Sequence, residues 1–288
     1  MLEVTKNILK DIYKSRPSDS HKYDFGLVLV IGGSDFYSGS PAFSAMAAFR
    51  SGAGMVKIIA PERAANIIAG FSPNMAAYPL NNKWLVKEHL ATLISMTESA
   101  KTVSKGRTAV VIGGGMGRTE ETQETILEYL SQVDVPTVID ADAIHALAQK
   151  PELISGRNFL ITPHTYEFFV LTKRQVYQST DQEKIKAVQE EARRLKTTIL
   201  LKGKLDIISN GEEIAIDKAG TPQMAVGGTG DSLAGVCGAL MARGVDCFQA
   251  AQASAYINGK AGEQAAKKFG DGMTATDLIE MIPEIIKL

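Results

Sequence analysis

Leu27-Val28-Leu29-Val30-Ile31-Gly32-Gly33 is an unbroken apolar run that stops at two glycines, and Thr108-Ala109-Val110-Val111-Ile112-Gly113-Gly114 repeats the pattern. Apolar residues in succession, without polar alternation, fit a strand covered on both faces rather than one with a wet side. Outward from these two, Met55–Ala60, Thr137–Ile139, Phe159–Ile161 and Thr198–Leu201 read as further strands. Helices are expected from about Pro41 to Ser51, Trp84 to Thr97, Glu120 to Ser131 and Asp181 to Leu195. The last third is helical, at about Thr229–Met241, Cys247–Lys268 and Ala275–Ile286. Strands alternating with helices imply an α/β fold, a mostly parallel central sheet with helices on both faces. Asp206–Ser209 and Glu213–Ile216, joined through Asn210-Gly211, read as a hairpin and so as a small antiparallel piece at one edge. No linker, repeat or low-complexity tract divides the chain, so residues 1–288 are expected to form a single domain, with residues 1–26 as a helical lead-in.

Composition narrows the function classes. The 288 residues are 45% hydrophobic and 22% charged, which suits a folded globular protein and excludes disorder and collagen. Thirty-one basic against 32 acidic residues leave a net charge of −1, so nothing points to nucleic acid. No apolar run reaches the roughly 18 residues of a membrane span, and the charged first twenty residues are no signal peptide. No membrane partner and a cytoplasmic location are expected. Cys237 and Cys247 are too few for a disulfide framework or a zinc site and read as buried thiols.

The chemistry is concentrated where strands end. In open α/β sheets ligands bind beyond the carboxyl ends of the strands. Five of those ends carry glycine, acid, lysine or histidine: Gly32-Gly33, Gly113–Gly117, Asp140–Asp142, Thr162-Pro163-His164 and Lys202-Gly203. The most informative segment is Gly227-Gly228-Thr229-Gly230-Asp231-Ser232-Leu233-Ala234-Gly235. Its glycines let backbone N–H groups approach an anion, and the helix that follows points its positive end at the same place. Asp231 in the first turn repels the anion that the loop attracts. It makes sense as the base that takes a proton from an attacking hydroxyl in phosphoryl transfer, or more plainly as a helix cap. Gly113–Gly117 resembles a dinucleotide fingerprint but fails it, because Arg118 stands where the last glycine belongs. Asp140 and Asp142 either orient magnesium through water or cap a helix. His164 and Glu167 share a helical face if the helix has begun there. His21, His89 and His145 read as structural.

The pieces GGSDFYSGSP (32–41), VVIGGGMGR (110–118), VIDADAIHAL (138–147), LITPHTYEF (160–168), ILLKG (199–203) and AVGGTGDSLAG (225–235) together resemble the NAD(P)H-hydrate dehydratase family of the ribokinase-like superfamily. That resemblance spans roughly Leu27 to Ala265. It implies a ribokinase-like fold and an ADP- or ATP-dependent conversion of the hydrated S-epimer of NADH or NADPH back to the cofactor. The ring hydroxyl would be phosphorylated and the phosphate then eliminated, so the enzyme would be a lyase on a kinase fold, giving AMP (or ADP) and phosphate. By motif, Asp231 is the base and a substrate contact. Ser40, Gly115, Gly117 and His164 contact the substrate. Lys202, Gly203, Lys204, Leu205 and Asp206 hold the nucleotide with Gly228, Thr229 and Gly230, and Glu167 helps order Mg2+ through water. The resemblance also implies a homo-oligomer, by kinship a tetramer, and a separate NAD(P)H-hydrate epimerase as pathway partner. With only about 26 residues before the first strand, the epimerase activity itself is expected to be absent.

Two positions depart from the family pattern. Ser40 stands where alanine is usual, and Asp206 where threonine is common. A carboxylate beside phosphates is unfavourable unless a cation intervenes, and Lys204 is near in sequence. Two rival readings are a small-molecule kinase for a hydroxymethylpyrimidine- or hydroxyethylthiazole-type alcohol, and a nucleotide-binding module without turnover. An intact Asp231 in an intact glycine loop speaks against the second.

Overall fold

A computed structural model describes residues 1–287. Among these residues, one sheet is built from β1 (Leu2–Glu3), β2 (Leu27–Ile31), β3 (Met55–Pro61), β4 (Ala76–Leu80) and β5 (Thr108–Ile112). It continues with β6 (Thr137–Ile139), β7 (Phe159–Ile161), β8 (Thr198–Leu201), β9 (Asp206–Ser209) and β10 (Ile214–Asp217). Their order across the sheet is β1-β10-β9-β8-β7-β6-β5-β2-β3-β4. Every pairing is parallel except those of β9, which runs against both β8 and β10. The helices are α1 (Ile8–Ile12), α2 (Gly39–Arg50), α3 (Glu62–Phe71), α4 (Leu90–Val103), α5 (Glu120–Gln132) and α6 (Ala141–Leu147). They continue as α7 (Thr165–Thr172), α8 (Asp181–Leu195), α9 (Thr229–Ala242), α10 (Cys247–Phe269) and α11 (Ala275–Ile286).

Strand periodicity explains why both faces are dry. Along β2, Val28 and Val30 pack into one core with α2, α9, α10 and α11. Leu27, Leu29 and Ile31 pack into a second core with α4, α5, α6 and α8 on the opposite face. Successive side chains of a strand point to opposite faces, so an all-apolar strand needs two apolar covers. Cys237 and Cys247 are buried free thiols, and burial pushes both up to about 12. Among the described residues no helix is long and apolar enough to cross a membrane.

The structure differs from the sequence reading in four places. The helix expected from Trp84 starts only at Leu90. A 3-10 turn at Lys87–His89 precedes it, in which the Nδ1 of buried His89 accepts the Val86 N–H at 3.2 Å and its Nε2 lies 3.0 Å from the Asn81 carbonyl. β4 (AAYPL) lies at the sheet edge, where Pro79 is tolerated, and its mixed exposure carries no strand periodicity. Glu62–Phe71 forms α3, a helix that the sequence reading left unassigned. The lead-in holds α1 and a 3-10 turn at Lys22–Phe25, but also β1, which pairs parallel with β10 and lies outside the hairpin. The hairpin itself is as expected, with the Asn210 side chain accepting the Glu212 and Glu213 N–H groups to close its turn.

Candidate active site

The chain passes from β2 to β3 and β4 on one side, then returns to place β5 on the other side of β2. Such a reversal parts the loops that follow two neighbouring parallel strands and opens a crevice at their carboxyl ends. The loop after β2 supplies Tyr37, the first turn of α2 supplies Ser40, and the loop after β5 supplies Gly114 and Gly115. The Gly33 N–H donates to the Gly114 carbonyl at 2.8 Å and ties the loops together.

Asp231 projects into this crevice from the first turn of α9. A helix leaves its first four N–H groups without intrahelical partners and carries partial positive charge at that end. The turn starts at Gly228, with φ of +98°, and a Cβ there would meet Phe43 at 2.7 Å. The Thr229 hydroxyl donates back to the Met224 and Val226 carbonyls, so what Thr229 can offer an anion is its N–H. The Asp231 carbonyl accepts from Ser44 of α2 at 2.9 Å. Asn258 of α10 donates to the Thr229 carbonyl and accepts from Ser232. The sequence reading passed over Ser44 and Asn258, although a polar pair in an otherwise Ala- and Gly-rich helix packing was the available signal.

Asp231 makes no capping bond, and the helix has no side-chain cap. Burial pushes its carboxyl up to about 6. The Asp140 and Glu167 charges add to this, while Ser40 and Lys202 oppose it. Its Oδ1 lies so close to Gly114 that a Cβ at Gly114 would sit 2.7 Å away, and 2.7 Å from the Ser40 Cβ. Gly114→Ala is therefore expected to displace the carboxylate and lower kcat by about 10²-fold, the scale of an ångström-level misplacement, with the melting temperature nearly kept. Steady-state kinetics beside a thermal melt checks this.

A second cluster lies beside the first. Lys202 directly follows β8, and its Nζ sits 2.8 Å from Asp140 Oδ1 and 3.8 Å from Glu167 Oε2. Burial pulls its ammonium down, but Asp140 and Glu167 more than offset this and hold it above the usual range. Asp140 Oδ1 also accepts from Thr162 at 2.8 Å, and Asp140 does not cap α6. Asp142 is spent on the Gly117 N–H and on Arg118. His164 is the N-cap of α7: its Nδ1 accepts the Tyr166 and Glu167 N–H groups, which leaves Nε2 to carry the ring proton. Glu167 completes the capping box by accepting the His164 N–H at 2.8 Å, and burial raises its pKa despite Lys202. The His164 side chain is still 51% exposed, with Nδ1 holding the helix and Nε2 3.4 Å from Glu167 Oε1.

The structure thus gathers Asp231, Ser40, Lys202, Glu167, His164 and Gly230 in one crevice. A Cβ at Gly230 would lie 3.4 Å from Lys202 Nζ. Gly115 packs against Tyr37 and Gly117 against Trp84. In the Lys202–Asp206 loop, Gly203 and Lys204 are exposed and Leu205 rests on the core. Asp206 accepts the Gly203 N–H at 2.8 Å and closes the loop. Burial pushes its carboxyl up to about 7, with Asp217, opposite it in register, adding to the shift. That softens the repulsion of phosphate that its sequence position suggests. Among the described residues no three His, Cys, Asp or Glu side chains form a metal cage. Glu167 and Asp140 are the carboxylates that would reach, through water, a magnesium ion carried on nucleotide phosphates.

A family model described as NAD(P)H-hydrate dehydratase matches residues 28–284. The bifunctional NAD(P)H-hydrate repair enzyme Nnr of Methanothermobacter thermautotrophicus is 38% identical over 277 residues, 94% of this chain and 52% of that protein. The chain therefore spans about half the length of the bifunctional relatives. The ADP-dependent (S)-NAD(P)H-hydrate dehydratase of Cenarchaeum symbiosum is 37% identical over 287 residues, 99% of this chain and 96% of that one. Among solved structures, a ribokinase-like superfamily protein from Enterococcus faecalis superposes with a TM-score of 0.82 at 26% identity, covering 99% of this chain and 95% of its own. The ADP/ATP-dependent NAD(P)H-hydrate dehydratase of Bacillus subtilis, co-crystallised with ATP/Mg2+, shares the fold at a TM-score of 0.80 and 23% identity, covering 99% and 98%. With the strand order, the glycine-flanked Asp231 and a match from Val28 to Glu284 all agreeing, the chain belongs to the NAD(P)H-hydrate dehydratase family, on a ribokinase-like fold.

Proposed function

We propose that the protein uses ADP, or ATP, to dehydrate hydrated NADH and NADPH. One observation carries the reading: a carboxylate raised toward neutrality stands in the first turn of a glycine-led helix, with Lys202 held close by. The N–H groups of Thr229, Gly230 and Asp231 receive the terminal phosphate of the nucleotide, and Lys202 adds positive charge. Asp231 takes the proton of the ring hydroxyl as its oxygen attacks the terminal phosphorus and AMP (or ADP) leaves. The phosphate then departs with its C–O electron pair, and loss of a proton from the adjacent carbon restores the ring double bond. The hydrate's water thus ends in the hydrolysis of one phosphoanhydride. Magnesium would supply charge neutralisation on the transferring phosphate. The dehydratase of Cenarchaeum symbiosum, similar over nearly its whole length, supports ADP as the donor.

Recovery of NADH absorbance from the hydrate, with ADP and magnesium present and AMP and phosphate formed in equal amounts, is the expected result. Full recovery without a nucleotide overturns the scheme. A phosphorylated ester accumulating from an alcohol, without restored NADH, would favour the kinase reading. The pH dependence follows from the raised carboxyl. A base must be ionised, so kcat/KM is expected to fall about tenfold per pH unit below a pKa near 6. A profile flat down to pH 5 would exclude Asp231 as the base.

A further inference from the structure

α7 continues away from His164 as a line of exposed rings. His164 and Tyr166 are nearly parallel with centroids 6.4 Å apart, Tyr166 and Phe169 are 6.4 Å apart, and His145 of α6 flanks Tyr166 at 6.1 Å. Tyr166 is 60% and Tyr177 72% exposed. Large aromatic rings left in water are an unpaid cost unless something covers them. Beside them Thr165, Tyr166, Phe169, Gln175, Val176 and Tyr177 line a cleft of about 280 Å³. It is smaller than the usual small-molecule site, with room for one planar ring system.

We propose that this cleft is the subsite for the purine ring of the dinucleotide substrate, with Tyr166 and Phe169 as its stacking platform. The inference rests on the function proposed above. The reacting nicotinamide ring belongs at Asp231 and His164, so the rest of the dinucleotide must leave the crevice across its rim. The aromatic line begins two residues after His164. Arg118, more than half exposed and paired with Asp142 on the adjoining rim, offers a charge to the pyrophosphate that bridges the two nucleosides. Burial, and then Arg118, hold the His145 pKa below its ordinary value, so that ring is a neutral wall beside Tyr166. Aromatic rings stack on any base face, and a purine offers the largest one.

The test is a titration of parent, Tyr166→Ala and Phe169→Ala proteins with NADH and, separately, with reduced nicotinamide mononucleotide, which lacks the adenosine half. AMP is kept saturating so that the purine of NADH cannot enter the phosphate-donor site. The expected result is NADH affinity at least about fivefold weaker in each variant, mononucleotide affinity unchanged, and Tyr166→Phe close to parent. With hydrated NADH the same variants should raise KM and leave kcat. Equal NADH affinity in parent and variants overturns the subsite, as does an equal loss for both ligands. A change of oligomeric state with NADH affinity kept overturns it too and makes the rings an interface between copies. Weakened NADH binding in a protein that does not turn over the hydrate would refute the proposed reaction and leave the subsite standing.

Discussion

Asp231→Asn is expected to lower kcat by ~10²–10⁴, the range for loss of a general base, while nucleotide affinity stays equal or tightens. Asparagine keeps the size of the side chain and removes the carboxylate that accepts the proton. The glycine loop and the first turn of α9 do not depend on that carboxylate, since the helix has no side-chain cap and is held by Ser44 and Asn258. Removing a negative charge beside the phosphate site relieves repulsion. Its burial disfavours the ionised form, and the folded pKa of about 6 lies above the ordinary carboxylate value. A group raised in this way favours folding fully at acid pH and loses that contribution as pH rises through about 6. Above that pH the variant should therefore melt no lower than the parent. Collapse of turnover with retained ADP affinity and melting temperature is the pattern to find. Turnover within threefold of the parent, less than ~1 kcal/mol in barrier, would remove Asp231 from the mechanism.

Lys202→Ala is expected to cost stability as well as nucleotide binding. The ammonium is shared between Asp140 at 2.8 Å and Glu167 at 3.8 Å, and both carboxylates are nearly buried. Deleting one partner of a buried ion pair leaves uncompensated charge and typically costs 3–5 kcal/mol. Lys202 keeps some solvent contact, so about 3 kcal/mol is the better expectation, several degrees of melting temperature for a chain of this size. The sign with pH follows from Glu167. Burial already raises its pKa and Lys202 opposes that, so removing Lys202 raises it further. Folding then favours the protonated acid, and the deficit is small near pH 4 and grows as pH rises through the raised value. Melting curves at pH 5 and pH 8 should diverge more for the variant than for the parent. A variant with unchanged stability and only weaker ADP binding would mean that the ammonium belongs to the ligand rather than to the carboxylates.

Local segments show how far the sequence could be read. β2 and β5 are five-residue runs buried on both faces, and each is visible as an unbroken apolar stretch. α8 begins at a Thr180–Glu183 capping box, and its boundaries match those read from the sequence. β4 was invisible because an edge strand with a proline needs neither apolar continuity nor alternation. The start of α4 was misplaced because what marks it is a buried histidine that contacts two backbone groups, and a polar stretch around a histidine does not announce that.

The active crevice divides along the same line. The glycine loop, Asp231 and the α7 capping box are local, each written within a few consecutive residues whose backbone preferences are their own. So the sequence by itself determined the central strands, the glycine loop and the acid that follows it. The sharing of Lys202 with Asp140 spans 62 residues, and the closeness of Gly114 to Asp231 joins the loop after β5 to a helix far along the chain. Those contacts exist only because the strand order brings β5, β6, β7 and β8 side by side and reverses at β2. Local propensity carries no information about strand order. That order is decided by how two apolar cores are covered at once, and only the tertiary structure reveals which strand ends meet.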